Sequence, residues 1–365
     1  MVKIKMKDKI KEFMYDMKIL KYFFYDKDRF IKRLTKFHSK KSFLTYHIRP
    51  KKTDNLIDDS IRIKNRLGKV GIVIQGPLKL EDNFTYETIK YYKKIYKDCE
   101  IILSTWNDEN KEEIEKIKKL GVNVIENEKP QHGGYANLNY QIVSTRNGIK
   151  FAIAKECQYI LKTRTDVRIY EAEIDKFLIS LLEIFPTKNK FQNKRVITID
   201  INMNQYYLCM SDIFQFGTTE EMDKVWDIPL YSEEITIKKF NKLIENLNFE
   251  EENKLLGSER FILKNYIEKL GINYEVSLKN YYKILKENFI VIDTGMINMF
   301  WYKYNRDEYQ NRKDYSRKIL DSYINFSDWV TIYNNDVDVR DLEKLFTKTR
   351  KELEALTIED ILEEK

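Results

Sequence analysis

From Val70 onward the chain repeats one pattern, a short apolar run followed by a longer stretch with apolar residues every three or four positions. That alternation restricts it to an α/β architecture. The spacing predicts strands over 70–74, 100–104, 122–125 and 158–163, with helices over 85–97, 110–119 and 137–155 between them. Strands separated by helices pair mostly in parallel, with helices on both faces of the sheet. Past Asp166 the order loosens into a helix over 172–185, strands over 196–199 and 213–216, and helices over 219–226, 234–247 and 258–270.

Residues 143–170 carry the most chemistry. Leu138, Ile142, Thr145, Ile149 and Ala152 form one apolar stripe on a helix, and Tyr159-Ile160-Leu161 is apolar enough for a strand covered on both faces. The strand then ends in Arg164-Thr165-Asp166. In open α/β sheets ligands bind at the carboxyl ends of the strands, which is where Asp166 falls. Gly148 interrupts the helix at a cost of about 1 kcal/mol against alanine, so something is expected to approach closely there. Gly76-Pro77 forces a turn at the end of the first strand. Trp106, ending the second, is either a stacking surface for a base or a large core residue.

The helix, strand and acid in this order resemble the core of GT-A glycosyltransferases. More specifically, Ile72-Val73-Ile74-Gln75-Gly76-Pro77, Ile102-Leu103-Ser104-Thr105-Trp106, Asn139-x-Gln141-Ile142-Val143-Ser144-Thr145 and Leu161-Lys162-Thr163-Arg164-Thr165-Asp166 resemble the WavE lipopolysaccharide synthesis family over roughly residues 68 to 305. The resemblance implies a GT-A (Rossmann-like) fold, a nucleotide-sugar donor and a glycan or glycolipid acceptor, as in lipopolysaccharide, lipooligosaccharide or capsule assembly. It implies an N-terminal extension over 1–66, a catalytic domain over 67–305 divided at 170 into donor and acceptor halves, and a helical C-terminal extension over 306–365. Asp166 takes the place of the acid that binds a divalent metal, Mn or Mg. Arg164 stands where that motif has its first Asp, which also leaves an inactive scaffold as an alternative.

On the same resemblance, Gln75, Gly76, Pro77, Thr105, Trp106, Asn139, Arg146 and Arg164 are the donor-binding candidates. Glu259 at a helix start is the candidate general base, with Asp212 as its rival. Each has a structural alternative, for Glu259 an acid favourable to the helix dipole. Asp293, Trp301, Lys303 and Tyr304 suit an acceptor or phosphate, since aromatic faces stack on sugars and lysine meets phosphate. A sugar nucleotidyltransferase would share much of the sheet, but a Gly-rich stretch is expected after its first strand, and Gln75-Gly76-Pro77 is too short for one.

Charge separates the remaining classes. Residues 1–52 hold 17 Lys or Arg against 5 Asp or Glu, whereas the whole chain is only +7. This basic, aromatic stretch reads as an amphipathic helix that docks on an anionic membrane surface or covers the catalytic domain. A nucleic-acid-binding protein is a third reading of it, but no recognised motif supports one and no nucleic acid is expected. No uncharged apolar run approaches the ~20 residues of a membrane-spanning helix. Charges break every candidate signal-peptide core. Cys99, Cys157 and Cys209 have no pairing spacing, so reduced thiols are expected. A cytoplasmic protein, peripheral at the inner membrane, is the expectation.

Overall fold

The computed structural model describes residues 49–54, 68–201, 203, 208–304 and 323–355. The expected N-terminal helix and its membrane-facing surface lie outside the described residues. The chain divides into a unit of residues 1–50 and one of residues 51–365, and everything below belongs to the second.

The expected alternation is present. Strands β1 (Val70–Gln75), β2 (Glu100–Trp106), β3 (Asn123–Asn127) and β4 (Tyr159–Arg164) alternate with helices α1 (Phe84–Ile95), α2 (Lys111–Lys118) and α3 (Leu138–Ala154). The four strands pair in parallel in the order β3-β2-β1-β4. Three further strands extend the sheet: β6 (Val196–Ile199), β7 (Gln215–Thr218) and β8 (Phe289–Ile292), giving β3-β2-β1-β4-β7-β6-β8. Only β7 runs against the rest, pairing antiparallel with both β4 and β6. The result is the expected fold class, a mostly parallel sheet flanked by helices. β7 begins two residues later than its apolar run suggested, because Ile213 and Phe214 enter the core before the ladder starts.

A second, two-stranded sheet was not legible in the sequence. β5 (Val167–Ile169) leaves the end of β4 and pairs antiparallel with β9 (Met299–Trp301), which brings residues about 130 positions apart against Asp166. Helices α4 (Ile174–Ile184), α5 (Thr219–Trp226), α6 (Ile237–Ile244), α7 (Phe249–Lys254), α8 (Ser258–Lys269), α9 (Leu278–Asn288) and α10 (Phe326–Asn334) complete the layers. The core does not stop near residue 305. Trp329, Leu345 and Leu353 are fully or almost fully buried in it, and Phe346 stacks on Phe249. The stretch expected as a C-terminal extension thus contributes residues 323–355 to the same core. None of the three cysteines forms a disulfide; Cys157 and Cys209 are buried and Cys99 is half-buried. Among the described residues no helix is long and apolar enough to cross a membrane.

Two positions show how α3 is seated. All five residues of its predicted stripe are buried without measurable exposure. The close approach expected at Gly148 is with the sheet, since a Cβ there would lie 2.4 Å from Val73 Cγ1 and 3.3 Å from Ser104 Cβ. One buried charge lies under the same helix. Lys162 on β4 is fully buried, donates to the Asp212 carbonyl and has its ammonium 4.6 Å from the centre of the Trp226 ring. Desolvation pushes its pKa down to about 7, the Asp212 charge opposing and Arg164 assisting. A base whose pKa falls on folding binds fewer protons in the native state. Stability therefore rises with pH from about 7 towards the unfolded value. Lys162→Met is expected to stabilise the protein at pH 7 by roughly 2–4 kcal/mol, with the gain shrinking as pH approaches 10. Urea titrations across that range check this; a gain independent of pH would show that the lysine is not desolvated.

Candidate active site at the strand ends

The chain steps outward from β1 to β2 to β3 and then returns to β4 on the other side of β1. The carboxyl ends of β1 and β4 therefore flank the point where strand order reverses, the place where open α/β sheets open a crevice. A cavity of about 460 Å³ lies there. Its wall is made by Gln75 to Lys79 after β1, Trp106 at the end of β2, Arg164 to Asp166 after β4, and the start of α3 with Tyr140 and Gln141. Lys129, Lys303 and, just before α3, Ala136 and Asn137 complete it.

The loop after β1 is tied on both sides. Gly76 N–H donates to the Ser104 carbonyl at 3.1 Å, and Thr165 donates from its backbone N–H to the Gln75 carbonyl and from its hydroxyl to the Pro77 carbonyl. Gly76 has φ +115°, and a Cβ would lie 3.2 Å from the Thr165 hydroxyl, so only glycine fits without strain. Gln75 is 4% exposed and its Oε1 accepts from Ser144 at 2.9 Å. Trp106 is buried with its ring edge-on to Tyr140, 5.6 Å between centres, so it serves both as a core residue and as part of the wall.

Asp166 is the only acid among the described residues lining the cavity. Arg164 donates from Nε to its Oδ1 at 2.8 Å and from Nη2 to its Oδ2 at 3.1 Å, and Trp301 Nε1 donates to Oδ2 at 3.0 Å. The guanidinium also lies 5.4 Å from the centre of the Trp301 ring. Burial alone would raise the Asp166 pKa; the Arg164 charge and these hydrogen bonds outweigh it and hold the carboxyl below its ordinary value. Such an acid stays ionised at neutral pH and is bound by a cation already on the wall.

For the expected metal, the described wall offers one carboxylate, Asp166. Among the described residues no three metal-ligating side chains gather, and Asp166 already accepts three hydrogen bonds, one at Oδ1 from Arg164 and two at Oδ2 from Arg164 and Trp301. A hard divalent ion takes oxygen ligands, which a guanidinium cannot supply. Arg164 at the position of the first acid is the physical cause.

The other expected residues divide by what they touch. Gln75, Gly76, Pro77, Trp106, Arg164, Asp166 and Lys303 line the cavity. Thr105 is buried and is not on the wall. Asn139 is buried with its amide bridging Tyr231 N–H and C=O, which fastens the start of α3 to the segment after α5. Arg146 donates to the Trp226 and Ile228 carbonyls and lies 3.5 Å from Asp227, fastening α3 to the turn after α5. Asp293 accepts from Phe326 N–H at the start of α10. Trp301 stands behind Asp166, and Tyr304 ends a 3-10 turn, Tyr302–Tyr304.

Neither candidate base is on the wall. Glu259 is half-buried in the first turn of α8, where its charge raises the Tyr135 pKa further beyond the effect of burial. Asp212 is buried, with its carbonyl accepting from Gln141 and Lys162. Lys79, Lys129 and Tyr140 were not singled out in the sequence, although Lys79 and Lys129 follow the ends of parallel strands and so stand on the ligand side.

No curated protein matches the sequence. In structure the chain is similar to a Desulfovibrio desulfuricans protein provisionally named a nucleotide-diphospho-sugar transferase, at 7% identity and TM-score 0.33, over 62% of this chain and 79% of that one. It is also similar to a cytidylyltransferase from Leptospira borgpetersenii, at 14% identity and TM-score 0.30, over 55% and 93% of the respective chains. Likeness at this level assigns no activity. The sequence pattern of WavE lipopolysaccharide synthesis, by contrast, matches residues 70–355, a span that holds the whole sheet and every wall residue of the cavity. The chain belongs to the WavE lipopolysaccharide synthesis family.

Proposed function

We propose that the protein is a glycosyltransferase that moves a sugar from a nucleotide-sugar donor, bound in the cavity at the ends of β1, β2 and β4, to a bacterial surface glycan. The observation that carries this reading is the composition of the cavity wall. One side presents Trp106 and Tyr140, aromatic surface suited to a base or sugar ring. The wall also presents Lys79, Lys129, Arg164 and Lys303, cations of the kind that meet the charge developing on a departing diphosphate. Membership in the WavE lipopolysaccharide synthesis family supports a bacterial surface glycan as the acceptor.

The expected result is thermal stabilisation of the protein by at least one member of a panel of sugar nucleotides, because a ligand that binds only the native state raises its apparent stability. With a glycan acceptor present, that donor is expected to release nucleoside diphosphate. Release of a nucleoside triphosphate on addition of pyrophosphate would instead identify a nucleotidyltransferase. No stabilisation by any donor overturns the reading.

A further inference from the structure

Resting on the donor reading above, the charges around the cavity carry one step further. Four cationic side chains line it, Lys79, Lys129, Arg164 and Lys303, against the single carboxylate of Asp166, so the wall carries 4 − 1 = +3. The carboxylate is already matched by the Arg164 guanidinium. Positive charge, not ligating oxygen, is therefore what the wall offers an anion.

Two of the lysines are held by acids that are not on the wall. Lys79 pairs with Glu81 at 2.8 Å and Lys129 pairs with Asp108, both acids more than half exposed. Exposed pairs of this kind are weak and screened by salt. A phosphate in a cleft with partly buried walls competes for such lysines under better terms than the exposed carboxylates do.

The second, independent sign of a ligand is Gln75. Its side chain lines the cavity, and while Oε1 accepts from Ser144, Nε2 has no hydrogen-bond partner among the described residues. That donor belongs to a residue of the cavity wall, where an acceptor atom of a ligand can pair with it in place of solvent.

We propose that this cavity binds the diphosphate of a nucleotide without a divalent ion, with Lys79, Lys129, Lys303 and Arg164 in the role that a metal fills elsewhere. Asp166 is then a positioning residue: it orients the guanidinium and does not ligate a metal.

The test is calorimetric titration of the full chain with UDP, GDP, CDP and ADP and the matching monophosphates, once in EDTA and once in MnCl₂. The expected result is that at least one diphosphate binds with the same affinity in both buffers and loses affinity as salt rises. Lys303 is exposed, so Lys303→Gln leaves the fold intact; that variant is expected to weaken the diphosphate about tenfold and the monophosphate less. Binding that appears only with Mn²⁺ overturns the metal-free site and leaves the donor reading standing. Binding by none of the nucleotides in either buffer overturns both. Diphosphate affinity unchanged in both Lys303→Gln and Lys79→Gln overturns the role given to the lysines.

Discussion

Asp166→Ala is expected to destabilise the protein by about 3 kcal/mol at pH 7, because it leaves the partly buried Arg164 guanidinium without its carboxylate. The direction with pH follows from the depressed carboxyl. Its contribution is fully present above the unfolded value, about 3.9, and is lost as pH falls through the lower folded value. The wild type and the variant should therefore converge in strong acid and differ most near neutrality. Nucleotide binding should weaken too, since the guanidinium loses the two bonds that orient it and the Trp301 indole loses its acceptor. Asp166→Asn, which keeps the shape and an acceptor, should fall between the two. Urea denaturation at pH 3 and pH 7 with a donor titration at pH 7 checks all of this. A variant as stable as wild type that has lost only ligand binding would return Asp166 to the role of a metal or substrate ligand.

Gly148→Ala sets two opposing effects against each other. Alanine is better than glycine in a helix by about 1 kcal/mol, which favours the variant. The added methyl would lie 2.4 Å from Val73 Cγ1, a separation that real carbon atoms do not reach, and Val73 is fully buried on β1 beside β2 and β4. Overpacking of this kind typically costs about 1–3 kcal/mol. The clash sits at the tight end of that range, so the net expectation is a loss of about 2 kcal/mol. Because β1 leads directly into Gln75 and the cavity loop, donor affinity should fall as well. The double variant Gly148→Ala, Val73→Ala should be more stable than the sum of the two single losses predicts, since residues in contact do not add. A single variant at least as stable as wild type would mean that α3 can move off the sheet freely.

The part of this protein legible in the sequence is the part governed by local periodicity. Apolar runs and helical stripes place β1 to β4 and α1 to α3 within a few residues of their observed ends, and parallel strands with intervening helices put Gln75, Trp106 and Asp166 on one edge of the sheet. The need for glycine at position 148 was also visible, as a residue that a helix tolerates only for a reason.

What the sequence did not determine depends on contacts between distant residues. Asn139 and Arg146 have the chemistry of ligand-binding groups, yet α3 turns them toward backbone carbonyls of the segment after β7. Glu259 has the position of a base on its helix, but nothing local says how far that helix lies from the cavity. Residues 323–355 read as part of a helical C-terminal extension until Trp329 and Leu353 are seen in the core. The Arg164–Asp166 pair is the clearest case. Two residues apart on a strand end, they could have faced a metal and a phosphate separately. Only the pairing of β5 with β9 brings the Trp301 indole behind Asp166, and the three donors together commit the carboxylate to the protein itself. Strand direction is a local property and can be read from one segment; the identity of a carboxylate's partners is set by whichever chain folds back against it.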